Sequence, residues 1–400
     1  MSDAWQTATL GEILQKTETV DPFKSPDVEF EYIDVSSVSN QTYRIEETQR
    51  LKGRDAPSRA RRLIRAGDVL FATVRPTLRR IAIVPDDFDN QICSTGYFVL
   101  RPKPAVGHRF VFYYLQTERF MAGMEALQKG ASYPAVTDGE VRSQEITFPP
   151  LRDQKRIVGI LDEAFAGIAT AKANAEKNLQ NARAIFDSHL QSVFTQFDES
   201  WKEVPLAEMC ERITKGSSPK WQGIAYVDKP GILFVTSENV VDHRVVLDRP
   251  KYVEEKFNEK DKKSILKFGD VLTNIVGASI GRTAVFDRAD AANINQAVCL
   301  IRCNPDRLSN FFLTYLLNSA VFKKVLHENE VDNARANLSL GFFSKLLVPT
   351  PPLVDQVKIV AALNTLRAET QRLESLYQRK LAALDALKQS LLHQAFSGQL

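Results

Sequence analysis

One sequence is written twice in this chain. Pro149–Phe194 and Pro351–Phe396 align without a gap, about 202 positions apart, and a repeat of that length constrains everything else. Two copies, each following a long non-helical region, make neither a solenoid nor an array. Each copy reads as one long helix. Proline is confined to its start, Pro149-Pro150 and Pro351-Pro352, where it disfavours helix in the residue before it. Asp153 and Asp355 place negative charge in the first turn, which suits the helix dipole. Ile157, Leu161, Phe165, Ile168, Ala175 and Ala182 recur at steps of three, four or seven, and Ile359, Leu363, Leu366, Leu373, Tyr377, Leu381 and Leu384 do the same. At ~1.5 Å per residue, about 40 residues span roughly 60 Å, whereas helices of globular domains average ~11–12 residues. A stripe that long is not buried by one small domain, so the two stripes are expected to bury each other as a coiled-coil pair.

The rest of the chain echoes the same duplication. Trp5 and Leu10 return as Trp201 and Leu206, Gly67-Asp68-Val69-Leu70 as Gly269-Asp270-Val271-Leu272, and Gly96–Arg101 as Ala297–Arg302. Strand-like runs are expected at Phe30–Val35, Val69–Val74, Ile81–Val84 and Tyr97–Leu100, followed by helical spacing from Phe110 to about Gln128. Residues 1–150 and 198–350 are therefore read as two similar globular regions. Residues 151–197 and 351–400 are read as the long helices, with a short polar connector at Gln196–Ser200. The echoes fade between Asp21 and Ala60 and in the counterpart of that segment. A framework kept while its loops diverged is what divergent binding specificity requires.

Composition bounds the function class. Four hundred residues suit two or three domains, and 44% hydrophobic with 25% charged residues is ordinary for soluble globular protein. Met1-Ser2-Asp3 opens no secretory signal, and no window approaches ~18 apolar residues, so a cytoplasmic chain without membrane segments is expected. Cys93, Cys210, Cys299 and Cys303 have no zinc spacing, and a reducing compartment fits them.

Catalytic patterns are absent. Phe148-Pro-Pro and Thr350-Pro-Pro lack the polar residue that an adenine methyltransferase places before its prolines, and no glycine-rich cofactor loop accompanies them. Gly277-Ala-Ser-Ile-Gly281-Arg-Thr283 falls one residue short of a phosphate loop and carries arginine for its lysine. His108, His189, His243, His327 and His393 stand at neither metal-ligand nor triad spacing.

The positive signal is basic. Net charge is only +3, yet Arg44–Arg80 holds about eleven Lys/Arg against about four Asp/Glu. Gly, Pro and Ser among Arg54, Arg59, Arg61, Arg62, Arg75, Arg79 and Arg80 argue for a loop, and arginine's planar fork fits phosphate or a guanine edge. The second region carries a quieter polar set. It comprises Lys215-Gly-Ser217-Ser218-Pro-Lys220-Trp221, Thr236–Asn239, Asn274, Ser279, Arg282 and Asn293-Ile-Asn295-Gln296, residue types that pair with adenine or with phosphate.

The repeated Pro-Pro-Leu-x-x-Gln-x-x-Ile-Val start, the Gly-Asp-Val-Leu strand and the tail Ala395-Phe396-Ser397-Gly398 together resemble the specificity (S) subunit of type I restriction–modification systems, over essentially the whole chain. The resemblance implies an α+β chain: two similar globular α/β target-recognition domains separated by two long antiparallel coiled-coil helices. It implies a non-catalytic subunit that reads a bipartite, asymmetric double-stranded DNA site, at a spacing the helices fix. It implies two methyltransferase subunits docked on the helices, with motor-nuclease subunits joining them. No cofactor is expected in this chain, while the partners use S-adenosylmethionine, and ATP and Mg for restriction. Carried onto this sequence, the expected DNA-binding residues are Arg54, Ser58, Arg59, Arg61, Arg75, Arg79, Ser94 and Thr95 in the first domain. In the second they are Lys215, Ser217, Ser218, Lys220, Asn274, Ser279, Arg282, Asn295 and Gln296. The alternative is a DNA-recognition scaffold of another phage-defence or modification complex.

Overall fold

The structure is a computed structural model and describes residues 5–130, 132–196, 201–228, 231–331 and 336–400. Beyond Gln196 the expected polar connector lies outside the described residues. The chain divides into two compact units, Met1–Glu176 with Arg379–Leu400, and Lys177–Gln378. Each long helix is continuous, over Leu151–Val193 and Leu353–Phe396, and each contributes to both units.

In unit 1 the antiparallel strands Val69–Ala72, Ile81–Ile83 and Tyr97–Leu100 form the central sheet. Side chains alternate across it. Val69, Phe71, Phe98 and Leu100 face Phe110, Phe120, Ile157, Leu161, Leu392 and Ala395. Leu70, Ala72, Tyr97 and Val99 face a second layer with Ile33 and Cys93. A sheet covered on both faces has no polar side, hence the continuous apolar runs in the sequence. The second layer is a four-stranded sheet ordered Gln49–Lys52, Glu29–Ile33, Ile92–Ser94, Ala60–Leu63, with only Glu29–Ile33 and Ile92–Ser94 parallel. The arginine-rich stretch is therefore not one loop. Arg61 and Arg62 sit on a strand, and only residues 53–59 form the connection. The helical spacing after Phe110 resolves into two helices, His108–Tyr114 and Glu118–Leu127, because Thr117 caps the second, its hydroxyl accepting from the Phe120 amide.

Unit 2 repeats the plan. Val271–Asn274 pairs with Thr283–Val285 and Val298–Cys303, and Ile232–Val235 lies parallel to Ala292–Ile294. Unit 2 thus keeps a parallel strand pair where the sequences share no echo. The short strands around that pair differ between the units.

The repeated sequence signatures have physical causes. Asp68, buried, takes a bidentate pair from Arg101 (2.8 Å twice), and Asp270 takes one from Arg302 (2.7 Å twice). The glutamine of each helix start is a staple. The Gln154 amide donates to the carbonyls of Pro149 (2.8 Å) and Ala105 (3.1 Å), and its oxygen accepts from the Gly107 amide (2.8 Å). Gln356 repeats this with Pro351, Arg307 and Ser309 at 3.0, 3.0 and 2.8 Å. One side chain thus satisfies the N-cap amide of the preceding helix and two carbonyls that lie outside any helix.

The long helices pair antiparallel within each unit. In unit 1, Arg156 donates to the Leu400 carbonyl (3.0 Å) and Lys172 pairs with Asp385 (2.7 Å). In unit 2, Arg183 pairs with Glu374 (3.1 Å). Buried Leu161, Ile168, Ala175 and Ala182 follow the heptad step. On the second helix the buried seam runs through Leu363 and Thr370, while Leu373, Leu381, Leu384 and Leu391 are only half-buried.

Candidate nucleic-acid interface

In unit 1 one rim gathers part of the expected set. Ser58 and Arg59 form the exposed turn into strand Ala60–Leu63, and the Arg59 carbonyl accepts from the Thr95 amide (2.8 Å), so exposed Thr95 sits beside them. Gly96 continues the rim: its carbonyl accepts from both the amide (2.9 Å) and the hydroxyl (3.0 Å) of Thr73. Two residues on is exposed Arg75, whose amide donates to the Pro134 carbonyl (2.7 Å). Its guanidinium lies over the ring of Tyr133, 5.0 Å from the centroid, and that ring is 73% exposed.

The other expected residues of unit 1 are placed differently. Arg54 pairs with Asp27 (3.1 Å) and Arg79 with Glu118 (2.7 Å). Arg61 is held by Asp21 (3.7 Å), by the Ala60 carbonyl (2.9 Å) and over the Phe23 ring. Ser94 is fully buried, its hydroxyl accepting from the Gly96 amide (3.2 Å), so it supports the rim and does not face outward. The local charge excess is also smaller than the sequence window implies. Arg62 and Arg65 pair with Asp138 and Glu18, and Arg80 donates to the carbonyls of Val35, Ser36 and Val38. Their carboxylates come from distant segments, which a count along the chain does not see. Among the described residues, Arg59 and Arg75 form no ion pair.

In unit 2 a corresponding rim is built from different chemistry. Exposed Lys215 ends strand Cys210–Lys215. The next residue must be glycine, because a Cβ at Gly216 would stand 1.8 Å from the Ile294 carbonyl oxygen. That approach sets the backbone after Lys215 against Ile294 and half-buried Asn295, with half-buried Gln296 next in the chain. Ser218 is half-buried, Lys220 is exposed, and the neighbouring Trp221 is 81% exposed. Ser217 is committed to Asp261 and Gln222. Ser279, half-buried, and Arg282, exposed, lie in the turn after strand Val271–Asn274. Asn274 is wholly buried, its amide donating to the Ser237 (2.9 Å) and Val240 (3.2 Å) carbonyls, so it too is removed from the outward-facing set. Asn239, accepting from the Thr236 amide, likewise holds a turn together.

The turns after the two central strands are the same turn with different side chains. In unit 2 its backbone has positive φ at Gly277 (75°) and Gly281 (84°). In unit 1 the matching positions are Arg75 (50°) and Arg79 (53°). Glycine adopts that conformation freely, whereas an L-residue gives up roughly 1–2 kcal/mol there. Unit 1 thus carries two strained arginines where its duplicate is relaxed, and such outliers concentrate at functional sites.

Two exposed rims on one scaffold are the arrangement of a duplicated recognition module, and the comparisons agree. Residues 2–180 and 198–380 each match the family described as type I restriction modification DNA specificity domain. The chain belongs to that family. It is 24% identical over 314 residues to the type I restriction enzyme EcoBI specificity subunit of Escherichia coli, covering 72% of this chain and 65% of that one. It is 29% identical over 224 residues to the HindI specificity subunit of Haemophilus influenzae, covering 54% and 45%. The chain therefore spans under two thirds of the length of these two relatives. Among solved structures, one described as the structural basis of complex assembly and conformational transition of the type I R-M system superposes with TM-score 0.86, at 29% identity, over 99% of this chain and 98% of that one. The HsdS subunit from Thermoanaerobacter tengcongensis gives 0.69, also at 29% identity, over 99% and 97%.

Within the two specificity domains, sequence reasoning missed Tyr133 and left Trp221 unassigned. Trp221 had a signal, standing next to Lys220. Tyr133 had none, because nothing local shows that the chain returns to lay it under Arg75. Among the described residues no cluster of His, Cys, Asp and Glu could hold a metal ion, and no helix is long and apolar enough to cross a membrane.

Proposed function

We propose that this chain is the DNA-reading subunit of a type I restriction–modification complex, each unit reading one half of a bipartite, asymmetric site. The observation that carries it is the pair of unlike rims, Ser58–Arg59–Thr95–Arg75 and Lys215–Asn295–Gln296–Arg282, on one duplicated scaffold. Identical rims would read a palindrome, whereas these differ in their polar residues, Ser and Thr against Asn and Gln, and in backbone strain. The chain itself carries out no chemistry. Two methyltransferase subunits dock on the long helices, where Ile160, Ile185, Leu376 and Leu387 are exposed, and they methylate adenine with S-adenosylmethionine. Motor-nuclease subunits, using ATP and Mg, join when restriction is the outcome. The complex works in the cytoplasm.

Mapping methylated adenines in host DNA with and without this chain tests the reading. The expected result is one asymmetric two-part motif that disappears with the chain. A palindromic motif, or methylation unaffected by the deletion, rejects it. Purified chain incubated with duplex DNA, S-adenosylmethionine and magnesium should give neither methylated nor cut product.

Among the described residues Arg59 has no carboxylate partner and no group that orients its guanidinium, so it acts as a mobile charge near phosphate. Arg59→Ala is expected to weaken all duplexes alike and to lower the slope of log K against log salt by about one. A change of base preference at one position would instead make Arg59 a base reader.

A further inference from the structure

Building on that reading, we infer that Arg75 and Tyr133 act as one recognition element, with Tyr133 the positioning residue and Arg75 the reader of a guanine in the half-site of unit 1. Three independent observations converge on the pair. The Arg75 backbone is held in a left-handed conformation (φ 50°, ψ 58°) that its counterpart in the duplicate unit, Gly277, adopts without strain. The conformation is locked from outside, by the hydrogen bond that the Arg75 amide donates to the Pro134 carbonyl and by the bridge of Val74 to Ala135. The side chain is also fixed. Its guanidinium lies on the Tyr133 ring at 5.0 Å, and one Nη contacts the Ser132 carbonyl at 3.4 Å. Finally, both residues are exposed, and no carboxylate neutralises Arg75 among the described residues.

The chemistry follows from the arrangement. A free surface arginine samples many rotamers and binds phosphate as a charge. An arginine held over an aromatic face has fewer rotamers to give up and loses less freedom on binding. A fixed planar fork with two parallel N–H donors matches the N7 and O6 acceptors of guanine in the major groove, and no other base edge offers both. A phosphate contact would need no such plane, and Arg59 and Thr95 on the same rim are available for it. The strain is retained because glycine, which the backbone prefers, has no side chain with which to read. In unit 2 that position is glycine, so its half-site is read by other residues.

The test uses the full chain in complex with its methyltransferase partner and a random duplex library as probe. Four variants are compared with the parent: Arg75→Gly, Arg75→Lys, Tyr133→Phe and Tyr133→Ala. Arg75→Gly suits the backbone, so its folding is not at risk, and thermal melting should show it at least as stable as the parent. Selection with the parent is expected to yield two half-sites, one containing a guanine whose replacement by 7-deazaguanine weakens binding on the order of 10- to 100-fold. Arg75→Gly should lose the preference at that one base, leave the other half-site unchanged and be indifferent to 7-deazaguanine, while Arg75→Lys should weaken the preference and leave the other half-site unchanged. Tyr133→Phe should retain the preference and Tyr133→Ala should blunt it, a difference that a merely structural ring contact would not produce. Uniform weakening by Arg75→Gly, with base preferences intact, would make Arg75 a phosphate contact and overturn the inference while leaving the proposed function standing. Failure of the parent to select any sequence would instead overturn the proposed function.

Discussion

Arg302→Met is expected to remove about 3–5 kcal/mol from unit 2, because it strands a buried carboxylate. The Asp270 side chain is 1% exposed and the Arg302 side chain 12%. Asp270 accepts two bonds from the guanidinium and one from the Lys267 amide (2.7 Å), and Arg302 also reaches the Ile265 carbonyl (3.1 Å). Methionine fills much of the volume but offers no proton to the acid. The cost is therefore the desolvation of Asp270, not a cavity. Urea unfolding should show it in the transition of unit 2 alone, since Asp68–Arg101 holds unit 1 separately. Adding Asp270→Asn should recover part of the loss by removing the charge. A loss below about 1 kcal/mol would mean that water reaches Asp270 and that the pair is not the anchor its burial implies.

Acid should weaken the same unit well before carboxylates alone would account for it. His243 lies in the turn between the short strands Val240–Val241 and Arg244–Val245, half-buried against Phe186 and Tyr315. Burial, with Arg367 and Lys323 nearby and opposed by Asp242, pushes its pKa down from 6.5 to about 3. The unfolded chain takes up the proton near pH 6.5 and the folded chain only near pH 3, so the unfolded state binds more protons between them. Stability is full above about pH 6.5 and falls by up to roughly 1.4 kcal/mol per unit as pH drops through that window. Aspartates and glutamates titrate over part of the same range, so the comparison that isolates His243 is His243→Asn, whose side chain tolerates the left-handed backbone there (φ 67°). The variant should start less stable, through lost ring contacts, and decline less steeply between pH 6.5 and 4. Parallel curves would show that His243 is protonated in the folded state at no cost.

These cases show which parts of the chain its sequence discloses. The long helices and the central strands were legible because each depends on local period or on a motif present twice, whereas the pairing of Asp68 with Arg101 and of Asp270 with Arg302 was not, although both segments repeat. The glutamine of the helix start was legible as a signature, though its three backbone partners were not. The arginine-rich stretch was half legible. Its loop character around Arg59 held, but Asp21, Asp27, Glu18, Glu118 and Asp138 return from elsewhere to neutralise most of it. Ser94 and Asn274 carry the residue types of a reader and are used as internal braces, a choice made by burial and not by residue type. His243 looked like any scattered histidine, and only its neighbours make it an acid-sensitive one.

The composition of unit 1 has a consequence for how the chain is made. Its core includes Leu392 and Ala395, the Phe396 ring packs on Phe110 and Tyr114, and Gly398 lies against Trp5. Those residues leave the ribosome some 200 positions after the rest of that core, a wait of roughly 10–40 s at ~5–20 residues per second. The first unit to be synthesised is thus the last to be closed. Until then Phe110 and Tyr114 lack the cover that the Phe396 ring gives them.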